Sequence, residues 1–322
     1  MRRRQAAIRN RAKARVVVVG AALFAAGLFC VVGAAAVLLW KVVRNPAIEN
    51  GATYLAGATL LYASSHCARV VRLAVLIGDP LVSLREIGLV HFLSVAVSYM
   101  SPFKLGEAFR VFETGHLLHN GGLALVIVWV ERAFDFAVIA LLVAVASATT
   151  TGLFGTIQPL ILLSAMFVIS TVFLFAVAPE ALRALNLFVV RKYEGQRAIR
   201  RLKIIQWLQG WIALGPRVVS RRMAPLAALT CLIWGLQLAT LAVLLPTRGQ
   251  DLAKLAAALP MFLSAASWGG VLLAGPVGDD YALVVSWTML ALGVVAGLLY
   301  APTRFRTARS RLHAAGQPVR LQ

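Results

Sequence analysis

Runs of apolar residues almost free of charge recur along this chain at 16–40, 51–77, 121–148, 157–178, 224–246 and 279–301. At about 1.5 Å of rise per residue, each can cross a hydrocarbon layer about 30 Å thick as a helix. The pattern predicts an all-α fold, a polytopic transmembrane bundle with about six full spans.

Two further stretches are apolar but broken. Between 87 and 118 the run is interrupted by Pro102, Lys104, Gly106, Glu107, Arg110 and Glu113. Between 252 and 277 it is interrupted by Pro260, Gly269, Gly270, Gly275 and Pro276. Proline and glycine end or bend helices, so each stretch reads as two half-helices joined by a turn. Two re-entrant hairpins of opposite orientation result, the first entering from the cytoplasmic side and the second from outside. The alternative is eight plain spans. Irregular backbone at membrane depth needs protein or a water-filled cavity around it, and paired broken hairpins of opposite hand suggest a central site between inverted halves.

Charge then sets orientation. Lys and Arg outnumber Asp and Glu by 32 to 12, a net charge of +20. Such an excess would suit a nucleic-acid binder if it lay on one face, but it gathers in blocks at 2–15, 183–222 and 304–320, between apolar runs. That is a membrane topology signal and argues against nucleic acid as a partner. All three blocks are expected in the cytoplasm, facing anionic headgroups. Arg69, Arg72 and Arg85 fit the same rule at the inner end of the second span, and the uncharged turn 149–155 faces out. The expected organisation is a basic N-terminus 1–15, one membrane domain 16–301 and a basic tail 302–322. Within the domain, 180–222 mixes Arg and Lys with Leu, Ile, Phe and Trp, as an interfacial amphipathic helix would. The start, 2–15 followed by 16–40, resembles a signal peptide, but its apolar run is too long, so an uncleaved first span is expected.

Charges inside the spans carry the chemistry. Glu131, Arg132 and Asp135 fall about halfway along 121–148, where each unpaired ion costs about 2.5–3.5 kcal/mol. Residues three and four apart share a helix face, so the three can partly neutralise one another while pointing away from lipid. The first hairpin supplies Lys104, Glu107 and Arg110 around Gly106. A cavity holding both sets suits a phosphate group, because guanidinium binds phosphate through paired hydrogen bonds and keeps its charge when buried. The plainer alternative is a salt-bridge network that ties helices together, a weak device for stability alone.

The stretch Pro102-Phe103-Lys104-Leu105-Gly106-Glu107-x-x-Arg110, followed in the next span by Glu131-Arg132-x-x-Asp135, resembles the lysylphosphatidylglycerol synthase transmembrane, or flippase-like, family. Arg69 and Arg72 resemble that family's second span, and the likeness runs from about 16 to 300. The resemblance implies a multi-pass protein of the bacterial inner membrane that moves a phospholipid or lipid-linked glycan between leaflets. It also implies that Gly106, Glu107, Arg110, Glu131, Arg132 and Asp135 belong to the site. The sequence departs from the family at the second hairpin, where a Pro-Gly-Gly-x-Gly turn and a Glu are expected. Here Trp268-Gly269-Gly270 and Gly275-Pro276-Val277-Gly278-Asp279-Asp280 stand instead, with Asp279 or Asp280 as the candidate substitute. The aminoacyl-transfer domain of the two-domain members has no counterpart in these 322 residues, so aminoacylation is not expected of them.

Other chemistry is thin. Glu113-x-x-His116-x-x-His119 has metal-like spacing but is isolated, and it reads better as an interfacial helix end. His66 and His91 read as packing or cavity residues, with a proton relay as the sharper alternative. Cys30, Cys67 and Cys231 fall in apolar runs without paired spacing. No G-x-S-x-G, H-E-x-x-H or phosphate-cradling glycine loop occurs, so nucleophilic or hydrolytic catalysis finds no support, a transporter is expected rather than an enzyme, and no metal or cofactor is expected. The expected function is translocation of an anionic phospholipid or lipid-linked phosphate. The alternatives are an accessory scaffold that recruits a lipid-modifying or glycosyl-transferring enzyme through 183–222, and a transferase using Asp79, Asp279 or Asp280 as base.

Overall fold

A computed structural model describes residues 52–100, 105–149, 154–192, 195–220, 222–244 and 278–316. The first expected span, 16–40, the second hairpin, 252–277, and Pro102 and Lys104 lie outside the described residues. Every regular element among the described residues is a helix.

Helix α1 is Ala52–Ile77, α2 Leu84–Met100, α3 Leu105–Leu117, α4 Gly121–Thr149 and α5 Phe154–Val172. A π-helical turn, Phe173–Val177, carries α5 straight into α6, Ala178–Lys192. Then come α7, Gly195–Ile212; α8, Leu214–Val219; α9, Met223–Leu244; and α10, Gly278–Gly316. Among the described residues, four stretches are long and apolar enough to cross a membrane: Tyr54–Ile77, Leu162–Lys192, Met223–Leu244 and Leu283–Arg306. Leu60, Leu162, Met166, Ile169, Leu232 and Leu298 on these stretches are exposed, a surface that water would not tolerate and hydrocarbon does. The chain is an all-helical membrane protein.

Local sequence explains the ends of the helices. α1 stops at Gly78, whose φ of 59° is left-handed, and its N–H bonds to the Ala74 carbonyl at 2.9 Å, a common C-terminal cap. Arg222 donates from Nη1 to the carbonyls of Val75 at 2.7 Å and Leu76 at 3.1 Å. Its guanidinium occupies the space that a Cβ at Gly78 would need. Ser83 caps α2, its hydroxyl accepting from the Glu86 N–H at 3.2 Å, and Asn120 caps α4, accepting from the Leu123 N–H at 3.0 Å. The left-handed residue before that cap is His119, at φ 54°.

The stretch 87–118 forms two helices, as expected, with α2 and α3 packed against each other. Gly106 makes the crossing possible, because a Cβ there would collide with the backbone of Ser98. α1 sits centrally, packed most extensively on α9 and also against α2, α4 and α10. One apolar cluster joins Val70, Leu73 and Leu76 of α1 to Ile87, Val126, Ile127, Val130, Val218 and Leu226. α10 lies along α2, with Tyr300 packed on Val90 and Leu93.

Two expectations about the basic segments change. The segment 180–222 is not one amphipathic helix but parts of three. Gly195, at φ 75°, turns the chain, and α7 folds back on α6 so that part of each apolar face is covered by the other. Residues 302–316 are not a separate tail, because α10 runs through Pro302 to Gly316 without a break.

Candidate functional site

The described first-half candidates converge. α3 carries Glu107 and Arg110 three residues apart, and α4, packed against it, carries Glu131, Arg132 and Asp135 on the face it turns inward. Arg110 bonds to Glu131 Oε2, and Arg132 bonds both to Glu107 and, at 3.2 Å, to Asp135 Oδ2. The α3 and α4 motifs are thus one network, with Gly106 at the close crossing beside them. Asp279 and Asp280 fall in the first turn of α10.

The centre of the network is a residue expected elsewhere. Arg72 was placed by charge topology at the inner end of a span, yet it is wholly buried. Its Nη1 donates to Asp135 Oδ1 at 2.8 Å and Thr230 Oγ1 at 3.0 Å, and its Nη2 to Glu131 Oε1 at 2.8 Å and Asp135 Oδ2 at 3.2 Å. Its contact with Asp135 is bidentate, the strong and orienting form of this pair. Arg69, one turn earlier, reaches Asp135 Oδ2 at 3.3 Å. Thr230, on α9, donates its own hydroxyl hydrogen bond to the Leu226 carbonyl at 2.7 Å. The site therefore joins α1, α3, α4 and α9.

Its charge does not balance. Among the described residues, Arg69, Arg72, Arg110 and Arg132 face Glu107, Glu131 and Asp135, four guanidinium groups against three carboxylates, which leaves one positive charge. The Nε–H groups of Arg69, Arg72 and Arg110 are buried and have no protein acceptor, an arrangement that folded proteins keep rare. Exposure rises toward one edge: the side chains of Arg132 and Glu107 are 33% and 26% exposed, against 0% for Arg72 and Glu131. The site is thus a buried cluster of guanidinium and carboxylate groups that is partly exposed along one edge, at Arg132 and Glu107.

Two further polar contacts flank it. His66 Nδ1 and His91 Nε2 lie 3.2 Å apart between α1 and α2. Glu113, expected only as a doubtful metal ligand, accepts from Arg304 Nε at 3.1 Å and from the Tyr300 hydroxyl at 3.4 Å. Arg304 is accordingly buried and not a free charge of the tail. The rings of His116 and His119 stack with centroids 6.5 Å apart. Asp79 accepts the Leu81 N–H at 2.9 Å within a turn.

No family model, curated protein or solved structure matches this chain.

Sequence reasoning did not place Arg69, Arg72, Thr230 or Arg304 in these buried contacts. For Arg72 a signal was present: Leu73-Ala74-Val75-Leu76-Ile77 follows it, and five more apolar residues place it inside a span. Thr230 and Arg304 gave none, because a hydroxyl in an apolar helix usually bonds to its own backbone and an Arg after a span usually faces water.

Proposed function

We propose that this chain is a flippase-like translocase that moves an anionic phospholipid or a lipid-linked phosphate between the leaflets of a bacterial inner membrane. The observation that carries this reading is the buried cluster, which among the described residues has one positive charge in excess and is partly exposed at Arg132 and Glu107. A network serving only to hold helices together gains nothing from a surplus charge, whereas a lipid phosphate entering at the open edge would neutralise it.

The hairpin geometry agrees. α2 and α3 have 17 and 13 residues, about 26 and 20 Å of helix, short of the roughly 30 Å hydrocarbon layer. They fit a re-entrant pair better than two spans. With α4 as a further crossing, this reading keeps the six spans and two opposed hairpins expected from the sequence, with N- and C-termini in the cytoplasm; 16–40 and 252–277 lie outside the described residues. The family resemblance supports the same assignment.

The test is lipid scrambling in proteoliposomes, with a headgroup-labelled phosphatidylglycerol and a labelled polyprenyl phosphate as cargo. Arg132→Ala and Glu107→Ala are expected to abolish movement of one cargo while the protein still inserts and purifies as the wild type does. Full activity in both variants would end this reading.

A second reading, a scaffold for a lipid-modifying or glycosyl-transferring enzyme, is favoured by one feature. α6 and α7 form a shallow groove of about 250 Å³ lined by Leu185, Phe188, Val189, Arg201, Ile204 and Ile205. Co-purification of such an enzyme, lost when Arg200, Arg201 and Lys203 become Gln, would favour it.

A further inference from the structure

His66 and His91 are both buried, and the ring nitrogens facing each other, Nδ1 and Nε2, are 3.2 Å apart. A hydrogen bond between two imidazoles requires an N–H on one ring and a lone pair on the other. The outward nitrogens, His66 Nε2 and His91 Nδ1, are buried with no protein partner. In either tautomer of the neutral pair, one outward nitrogen bears a proton and the other a bare lone pair. The pair can therefore accept one proton, at that lone pair, without breaking the bond between the rings.

The surroundings connect this pair to the cluster. His66 is three residues before Arg69 on α1, and the fixed charges that act on the two rings are Arg69 and Arg72 of α1, Arg110 of α3 and Arg132 of α4. Glu131 and Asp135, bonded to those guanidinium groups, complete the charged set. Tyr62 stands edge-on to His66 at 5.0 Å between centroids, with Tyr281 of α10 at 6.4 Å from Tyr62. On the other side, Phe92 packs on His91. α9 contributes no Asp, Glu, Lys, Arg or His. An anion held by these four arginines would thus cancel positive charge next to the rings and favour a proton on them. By reciprocity, the proton would favour the anion.

We propose that the His66–His91 pair is the proton-binding site of the translocase, taking up one proton from water when an anionic lipid headgroup enters the arginine cluster and returning it to water when the lipid leaves. The inference rests on the translocase reading. The pair passes from neutral to singly positive, with the added proton on one outward nitrogen and no other bond made or broken. A lipid monoanion accompanied by that proton moves without net charge, so its passage is indifferent to the membrane potential.

Calorimetric titration of the full-length protein in detergent with dioctanoyl phosphatidylglycerol tests this, because that phosphodiester does not itself titrate near neutral pH. Run at pH 7 in two buffers of different ionisation enthalpy, the wild type is expected to take up about one proton per lipid bound. The variant carrying both His66→Asn and His91→Asn is expected to bind the lipid with that uptake lost, and either single variant fixes which ring can hold the proton. Equal heats in both buffers would overturn the proposal and leave the translocase reading standing. Uptake that survives when both rings are replaced would place the proton on a carboxylate and overturn it as well. Absence of any binding by the wild type would remove the reading and the proposal together. Should either variant fail to fold, ¹⁵N spectra of ring-labelled wild-type protein decide: an imidazolium signal must appear on lipid addition, and its absence defeats the proposal.

Discussion

Arg72 bears most of the site's geometry, since it alone bridges Glu131, Asp135 and Thr230. Replacing it with Leu would leave two carboxylates buried with fewer counter-charges, a loss of about 3–5 kcal/mol by the behaviour of broken buried pairs. Thermal unfolding in detergent is expected to show it as a clear drop in Tm, well beyond that of Arg132→Ala at the open edge. Arg72→Lys is expected to restore little, because an ammonium cannot match the fork that holds both oxygens of Asp135. At this scale the sequence was informative where charges interrupted an apolar run with helical spacing, as at Glu131, Arg132 and Asp135. It was uninformative where a charge sat close to a run's end. Arg72 and Arg304 each resemble an ordinary flanking cation, and only tertiary contact reveals that they are buried.

At the scale of the elements, the decisive contact is α3 against α2. A side chain at Gly106 must displace the backbone of Ser98, so Gly106→Val is expected to lose about 1–3 kcal/mol, the usual range for overpacking. It should also separate Glu107 and Arg110 from their α4 partners, so lipid binding would fall with stability. Arg222→Ala removes two bonds to the last carbonyls of α1. It is expected to cost about 1 kcal/mol, read as earlier hydrogen exchange at the end of α1 than elsewhere in that helix. Element boundaries were largely legible: apolar length gave α1, α4 and α9 to within a few residues, and Pro with Gly gave the break between α2 and α3. The fold-back of α7 on α6 was not, because an amphipathic pattern does not say whether its apolar face meets lipid or another helix. The continuation of α10 through Pro302 was also hidden, since proline usually marks a stop.

Across the whole molecule, the cluster acts as a fastener: α1, α3, α4 and α9 all end a side chain in it. Double-mutant cycles between Arg72 and Asp135 are therefore expected to show coupling of about 0.5–3 kcal/mol, whereas Arg72 paired with Arg183 on the exposed surface should be additive. The extended reach of α10 has a mechanical consequence. Its 39 residues make a rod about 58 Å long, nearly twice the thickness of the hydrocarbon layer. A tilt of about 10° at one end would sweep the far end through about 10 Å. Because Glu113 holds that rod at Arg304, α10 is fastened to the short helix that carries Glu107 and Arg110, and a tilt of the rod would strain the hold on the helix beside the arginines.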